Sequence, residues 1–341
     1  MCIHGASSRS REVAELELSA HSRILQRKDY PTNFSKTPSK EIHSQRRRKI
    51  LEKYPEIKNL FGYDHRSAVF CLVTVFVQLG MAYLVRDASV STLLALTYVV
   101  SGTLNHSLLL AMHEVTHDLF FGQRWANQLF AFIANLPMGV PAASLFKVYH
   151  AEHHSGMGIE AEDTDIPTRL EAKLFDSRIG RAIWLSLQPV FYAVRPMLIR
   201  PKGMTPMMVF VSVIQFSFDF LVYSCLGWRS FLYLLGGTFV GTGIHPMSGH
   251  FVAEHFEFIK GQETYSYYGP LNWITYNVGY HIEHHDFPKI PGWRLPQLRR
   301  IAPEFYTTLP SYSSWTRVIY DFIIGENMSL FGRVKREIAK D

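Results

Sequence analysis

Residues 67–85 read SAVFCLVTVFVQLGMAYLV, an apolar run long enough to cross the hydrocarbon of a membrane, which takes roughly 20 helical residues. Arg86-Asp87 makes a tight connection, and residues 88–112 then run back as a second apolar segment. Two further runs, 207–226 and 230–249, are separated by a short turn that begins with glycine. The pattern predicts four transmembrane helices arranged as two hairpins with very short outer loops.

The composition agrees with a membrane protein of one or two domains. Of the 341 residues, 47% are hydrophobic and 14% are aromatic, an aromatic content above that of typical soluble domains. The net charge of +6 is modest, and no basic block is interleaved with aromatic residues as a nucleic-acid groove would require. The three cysteines are far apart and predict neither a disulfide framework nor a zinc ribbon. We therefore expect no nucleic-acid partner, and any metal site must be built from histidine.

The basic residues predict the orientation in the membrane. The two tight loops hold one arginine each, Arg86 and Arg229, whereas most other basic residues lie before the first run, between the second and third runs, or after the fourth. By the positive-inside rule, those three segments and both termini are cytoplasmic. Two more apolar stretches, 126–145 and 183–199, are punctuated by prolines, and we interpret them as interfacial or re-entrant helices.

The chain before the first run divides into two parts. Residues 1–40 are polar and lack a sustained apolar period, which predicts a flexible cytoplasmic tail. Residues 41–66 contain the basic stretch Arg46-Arg-Arg-Lys49 and predict a short helix lying at a membrane surface. A solvated charged helix fits that composition equally well. Residues 67–341 would then form the membrane domain.

Eight of the 16 histidines fall in three short stretches, which read HEVTH (113–117), HAEHH (150–154) and HIEHH (281–285). On a helix, residues three and four apart share a face, so each stretch directs its imidazoles one way. Imidazole suits zinc, copper, iron and nickel, and eight imidazoles exceed what one tetrahedral zinc ion uses. All three stretches fall on the predicted cytoplasmic side, so the sequence predicts a two-metal site. Its candidate ligands are His113, His117, His150, His153, His154, His281, His284 and His285.

The order HxxxH, HxxHH and HxxHH, interleaved with two membrane hairpins, resembles the membrane fatty-acid desaturase and hydroxylase superfamily. Within it, the stretches HPMSGHFVAEH (245–255), ETYSYYGPLN (263–272) and NVGYHIEHHDFP (277–288) are similar to those of the sphingolipid Δ4-desaturases, also called dihydroceramide desaturases. The stretches RKILEKYPEIK (48–58) and ANLPMGVP (134–141) are similar as well. The resemblance extends over nearly all of the chain after the tail.

The resemblance implies an all-α integral membrane protein with four transmembrane helices and a cytoplasmic helical cap that carries a histidine-rich diiron site. Two non-haem iron ions, held by the box histidines, would activate dioxygen and remove two hydrogens from dihydroceramide to give ceramide. A ninth iron ligand is expected near the end of the fourth run. The Glu254-His255 pair makes His255 the first choice and His250 the second.

Further residues near the boxes have predicted supporting roles. Asn277 lies four residues before His281 and is expected on the same helix face, where it could hold a water on one iron; a capping or packing role is equally compatible. Carboxylates beside the boxes suit hydrogen bonds to the second ring nitrogen of ligand histidines. These carboxylates are Glu114, Asp118, Glu152, Asp163, Asp165, Glu283 and Asp286.

Electrons must come from a separate protein, because the chain has neither a GxGxxG fingerprint nor the His-Pro-Gly-Gly motif of a fused haem domain. The resemblance implies cytochrome b5 with its reductase as the donor, and residence in the endoplasmic reticulum membrane. C4-hydroxylation of the same substrate, alone or together with desaturation, is the nearest alternative because both reactions share the first hydrogen abstraction. A non-catalytic haem carrier or metal-binding membrane protein is the rival from another class. Histidine clusters at span ends, rather than within the spans, favour the enzyme.

Overall fold

The computed structural model of the chain describes residues 30–38 and 42–337, which are mostly helical. In chain order the helices are α1 His43–Lys53, α2 His65–Leu84, α3 Val90–Leu96, α4 Gly102–Thr116, α5 Arg124–Asn135, α6 Ala143–Gly156, α7 Arg169–Leu174, α8 Arg178–Ser186, α9 Gln188–Ile199, α10 Pro206–Leu226, α11 Trp228–Thr242, α12 Gly249–Ala253, α13 His281–Asp286, α14 Leu295–Ile301 and α15 Trp315–Ile324. The strands are β1 Ser35–Thr37, β2 Ser266–Tyr267, β3 Ser311–Tyr312 and β4 Val334–Arg336. β1 pairs with β4 and β2 with β3, both in parallel. The predicted all-α class is therefore right for the bulk of the chain but omits two small sheets.

Three of the four predicted membrane runs form long apolar helices. Within the described residues, His65–Asp87, Val90–Thr116 and Pro206–Leu226 have the length and hydropathy of membrane spans. The predicted fourth span, 230–249, differs because α11 ends at Thr242. Its 15 residues cover about 22 Å, which is short of a hydrocarbon core of about 30 Å. Length and composition support three to five crossings in this part of the chain, so the four-span topology stays a prediction.

Small and polar residues hold α11 against α4. A side chain at Gly237 of α11 would collide with Ser101, so glycine permits this close approach. The amide of Asn105 on α4 donates to Thr238 Oγ1 on α11 at 2.9 Å. Hydrogen bonds of this kind stabilise helix pairs in hydrocarbon, where little water competes for the polar groups. The contacts fix the position of α4, which carries His113 in its last turn.

The two proline-containing apolar stretches form bent helix pairs. Arg124–Met138 meets Ala143–Gly156 at 114°, and Arg178–Ser186 meets Gln188–Ile199 at 78°. Gly139 at the first bend has a φ of +70°, a left-handed conformation that glycine adopts without strain. That bend packs α6, with the second histidine stretch, against α4. Neither stretch is a straight helix, and their predicted interfacial or re-entrant placement remains a prediction.

The N-terminal segment packs on the rest of the chain. β1, near the end of the predicted flexible tail, pairs with the C-terminal β4. Residues 1–29, 39 and 40 of that tail lie outside the described residues, and the flexible tail stays a prediction. α1 forms within the predicted basic segment, but His43 is buried and Arg46 pairs with Asp286 of α13. One face of α1 therefore contacts α13, and contact of the other face with a membrane stays a prediction.

Candidate metal centre

The predicted histidines all lie at or near helix ends that meet at one place. His113 is in the last turn of α4, and His117 follows that helix directly. The second stretch occupies the C-terminal half of α6, and the third stretch makes up most of α13. His255 comes two residues after the end of α12. The structure thus brings together the eight histidines of the three stretches and His255.

Five of these histidines form a first group. One nitrogen from each side chain lies within 4.8 Å of one nitrogen from every other. His150 Nε2 is 3.0 Å from His117 Nε2 and 3.1 Å from His154 Nε2. With bonds of about 2.1 Å, as in zinc-bound imidazole, two ligands at right angles lie about 3.0 Å apart, so the spacing suits one metal ion. The group consists of His113, His117, His150, His154 and His284.

A second group contains His153, His255 and His285, again with ligand nitrogens within 4.8 Å of one another. His255 Nε2 is 3.0 Å from His153 Nε2 and 3.0 Å from His281 Nε2, so His281 adjoins this group. His250, the second choice for the ninth ligand, lies outside both groups and faces a cavity. The geometry therefore favours His255 over His250 in the predicted ninth position.

The protonation state of all but one of these histidines suits metal binding. The exception is His153: burial acts to lower its pKa, but Asp163 and Asp165 outweigh burial and raise it. Burial, followed by the neighbouring imidazoles, lowers the pKa of His150, His154 and His284 well below the ordinary value. Neutral imidazoles keep the lone pair that a metal ion needs. His285 Nε2 is buried without a hydrogen-bond partner in the described part of the chain, and a bound ion would satisfy such an atom. The residues present thus fit two transition-metal ions.

Asp163 holds one of the histidines in place. His153 Nδ1 lies 2.9 Å from Asp163 Oδ1, and the backbone N–H of Gly158 donates to Oδ2 at 2.8 Å. Burial acts to raise the pKa of Asp163, but His153 and the hydrogen bonds outweigh burial and keep that pKa below its ordinary value. An ionised carboxylate at Nδ1 fixes the ring and leaves Nε2 for a metal. Asp163 therefore has the predicted supporting geometry.

The predicted position of Asn277 on the face of His281 is wrong. α13 begins only at His281, and Asn277 lies before it with a φ of +56°. Its side-chain amide donates to the carbonyl of Gly292 at 3.1 Å. Asn277 therefore supports a turn, which agrees with the packing alternative.

Sequence reasoning missed the contact between α1 and α13. His43 Nδ1 is 2.8 Å from Asp286 Oδ1, and Arg46 Nε donates to Asp286 Oδ2 at 2.7 Å. The ring centres of His43 and His285 are 5.0 Å apart. The position of Asp286 directly after the third histidine stretch indicates a role near the site. His43 is a single histidine in a basic segment, and no spacing to another histidine indicates such a role.

A cavity of about 560 Å³ opens beside both histidine groups. Most of its lining side chains are apolar, and α6, α9 and α11 supply many of them. Three histidines of the two groups, His113, His150 and His153, also line it, as do the adjoining His281 and, outside both groups, His250. Ligand pockets of this size are usually apolar with a few polar groups that orient the ligand. The cavity can therefore hold an alkyl chain next to the histidines.

Comparison with protein families identifies the class of this chain. The family model described as "Fatty acid desaturase" matches residues 89–316, which include all three histidine stretches. A second model, described as "Sphingolipid Delta4-desaturase (DES)", matches residues 30–66, which include β1 and α1. Long apolar helices, two histidine groups and the first of these matches define a fatty acid desaturase.

Similar proteins narrow this class. The chain is 50% identical to "Sphingolipid delta(4)-desaturase DES1" of Drosophila melanogaster over 307 residues, which cover 89% of this chain and 96% of the relative. It is 47% identical over 314 residues to "Sphingolipid delta(4)-desaturase/C4-monooxygenase DES2" of Homo sapiens, with coverage of 91% and 97%. It is 46% identical over 314 residues to human "Sphingolipid delta(4)-desaturase DES1", with coverage of 92% and 96%. The chain therefore belongs to the sphingolipid delta(4)-desaturase family.

Proposed function

We propose that this chain is an oxidoreductase that converts dihydroceramide to ceramide by O2-dependent Δ4-desaturation. The observation that carries the proposal is the convergence of nine histidines beside an apolar cavity in a chain with relatives of that name. Side chains alone cannot break an unactivated C–H bond, so the chemistry requires a metal or another cofactor. The site offers metal ligands and room for an alkyl chain in one place.

The metal would be a pair of iron ions. The five-histidine group would hold one, and His153, His255, His281 and His285 would hold the other. Bound there, the two irons would supply the activation of dioxygen that the removal of two hydrogens requires. Asp163 would keep the ring of His153 in its ligating orientation.

The cavity would hold the sphingoid chain with C4 and C5 beside His113 and His281. Its apolar wall would exclude water and fix which carbons face the histidines. C4-hydroxylation of the same substrate is the second candidate, because the named activities of the human relative DES2 include a C4-monooxygenase. Both reactions begin at the same carbon, so small changes in substrate position would decide between them.

The protein would be a multi-pass component of the endoplasmic reticulum membrane with its termini and histidines in the cytoplasm. α10 supports contact with lipid, because its apolar side chains Phe210, Phe216 and Phe220 are 51%, 60% and 68% exposed. Two hairpins of four spans remain the proposed topology. α11 would then cross a locally thin bilayer or tilt little, since it is short.

Expression in a host without dihydroceramide desaturase activity tests the proposed function. We expect ceramide with a Δ4 double bond to appear when isotope-labelled dihydroceramide is supplied, as measured by liquid chromatography and mass spectrometry. The ratio of this product to the C4-hydroxylated product measures the balance between the two activities. An iron-loaded, reduced protein that forms neither product would refute the proposal.

Cytochrome b5 with its reductase is the proposed electron donor. Exposed basic residues that include Arg48, Lys49 and Arg300 lie on α1 and α14, the helices that pack against α13. A positive surface beside the histidines would attract an acidic electron carrier and raise its rate of association.

Omission of cytochrome b5 is expected to reduce turnover to background in a reconstituted system. Replacing Arg48 and Lys49 by glutamate should raise the KM for cytochrome b5 and weaken its salt dependence, because charge complementarity is lost. Arg229→Glu, in the loop predicted on the opposite side, is the matched control and should change neither value. Full turnover without cytochrome b5 would contradict the proposed donor, and a larger effect of Arg229→Glu would contradict the proposed orientation.

A further inference from the structure

One buried histidine outside both histidine groups faces the cavity without a hydrogen bond in the described part of the chain. His250 on α12 is 4% exposed and lines the cavity wall. Neither of its ring nitrogens makes a hydrogen bond within the described residues. The nearest rings are those of Phe251 and His106, whose centres lie 4.0 Å and 4.7 Å from that of His250. Nearly all buried polar groups in proteins are hydrogen-bonded, so an unpaired imidazole at a cavity wall indicates a polar group on the ligand.

Glu254 makes this part of the wall a small polar patch. Its Oε1 is 3.5 Å from His250 Nδ1 and 3.3 Å from His281 Nδ1. The same oxygen makes no hydrogen bond in the part of the chain that the structure describes. Glu254 thus lies between a proposed iron ligand and the unpaired His250. The polar patch, defined as His250 and Glu254, is next to the histidine-lined end of a cavity whose wall is mostly apolar.

The position of this patch matches the chemistry of a sphingoid base. In an N-acylsphinganine, C3 carries a hydroxyl group and is bonded directly to C4, the carbon at which the proposed reaction begins. A hydroxyl group therefore has to enter the site together with the reacting carbons. A desaturase acting in the middle of an alkyl chain would need no polar group there, and leaving one unpaired costs free energy. Imidazole both donates and accepts hydrogen bonds, and a hydroxyl group does the same.

We propose that His250, with Glu254 beside it, binds the C3 hydroxyl of the sphingoid base. This inference rests on the proposed function and assigns its specificity to a particular side chain. The hydrogen bond selects 3-hydroxylated chains and fixes C4 beside His281 and His113. His250 is therefore a specificity-determining residue and not an iron ligand.

The test compares two substrates within each protein variant. The substrates are an N-acylsphinganine and its 3-deoxy analogue, which lacks only the C3 hydroxyl. The variants are His250→Leu, which removes the hydrogen bond, and His250→Gln, which keeps a polar group. Thr242→Val is the matched control, because Thr242 lines the same cavity but its hydroxyl already donates to Thr238 O at 2.7 Å. The ratio of kcat/KM for the two substrates is independent of how much protein folds.

We expect the wild-type protein to prefer the hydroxylated substrate by about 10-fold or more, because a site built around a hydroxyl group rejects an analogue without it. His250→Leu should bring this ratio close to one, His250→Gln should keep part of it, and Thr242→Val should leave it unchanged. A wild-type ratio retained in His250→Leu would overturn the assignment. Loss of iron from His250→Leu would also overturn it, because His250 would then be a ligand.

Variants that show no turnover can be tested by measuring substrate binding. The dissociation constants of both lipids are measured on purified, iron-loaded protein under anaerobic conditions, where the substrate persists. The ratios of the two dissociation constants are expected to follow the kcat/KM ratios. A His250→Leu protein that still binds the hydroxylated lipid more tightly, as the wild-type protein does, would contradict the proposal. A wild-type protein that accepts neither lipid refutes the proposed function itself. A wild-type protein that desaturates both lipids equally refutes only the role of His250.

Discussion

His284→Ala is expected to abolish desaturation, with kcat/KM reduced by more than about 100-fold. Residues that only orient metal ligands typically contribute about 10–100-fold to affinity or activity, so the loss of a ligand should cost more. His284 Nε2 is 3.2 Å from His154 Nε2 within the five-histidine group. Its removal leaves that group without its contribution from α13. The product is measured by mass spectrometry, and the iron content of the purified protein is measured in parallel.

The matched control is His65→Ala. His65 is an exposed histidine at the start of α2, where its ring contacts Tyr63 and Phe121 and lies outside both histidine groups. This variant should keep both activity and iron. A His284→Ala protein that binds two irons and forms ceramide at the wild-type rate would show that the five-histidine group is not a metal site.

The candidate ligands could be predicted because their pattern is local. In HAEHH, the spacing of three and four residues is a property of one helix turn, and α6 places all three histidines at its C-terminal end as expected. His255 was predicted only through the resemblance of the Glu254-His255 pair, and its choice over His250 needed the structure. Asn277 was misplaced because the prediction extended a helix backwards through residues that form a turn.

Contacts between distant segments could not be predicted in this way. The predicted fourth run extends to residue 249, but α11 ends at Thr242 and Gly243 follows as its C-cap. The contact of His43 with Asp286 joins residues 243 positions apart, and its formation depends on how α1 packs rather than on any repeat. The unpaired state of His250 is likewise a property of the assembled cavity.

The buried contact between α1 and α13 should be the largest source of stability in the candidate metal centre outside the candidate ligands. Asp286 is fully buried and accepts hydrogen bonds from Arg46 Nε at 2.7 Å and Nη2 at 2.9 Å. His43 Nδ1 lies 2.8 Å from the same carboxylate. Removing one partner of a buried ion pair leaves an uncompensated charge and costs about 3–5 kcal/mol. Asp286 directly follows His284 and His285 in α13, so a shift of Asp286 would also move these two histidines.

We therefore expect Asp286→Asn and Arg46→Met each to destabilise the protein by about 3 kcal/mol, the lower end of that range because Arg46 keeps a side-chain exposure of 13%. Both variants should lower the thermal unfolding temperature and release iron to a chelator faster than the wild-type protein. The double variant should lose less than the sum of the two single losses, because the second substitution removes a charge already left unpaired.

Arg48→Met on the exposed side of α1 is the control that separates this contact from a general effect of basic residues. It removes the same charge from the same helix and should change neither thermal stability nor iron release. If Arg46→Met behaved like Arg48→Met, α1 would not stabilise the metal site, and the buried pair would contribute no net free energy. If the stability loss of the double variant equalled the sum of the two single losses, Arg46 and Asp286 would act independently. A coupling between them would instead show that the N-terminal helix, in the segment that matches the sphingolipid family model, helps to hold the third histidine stretch in place.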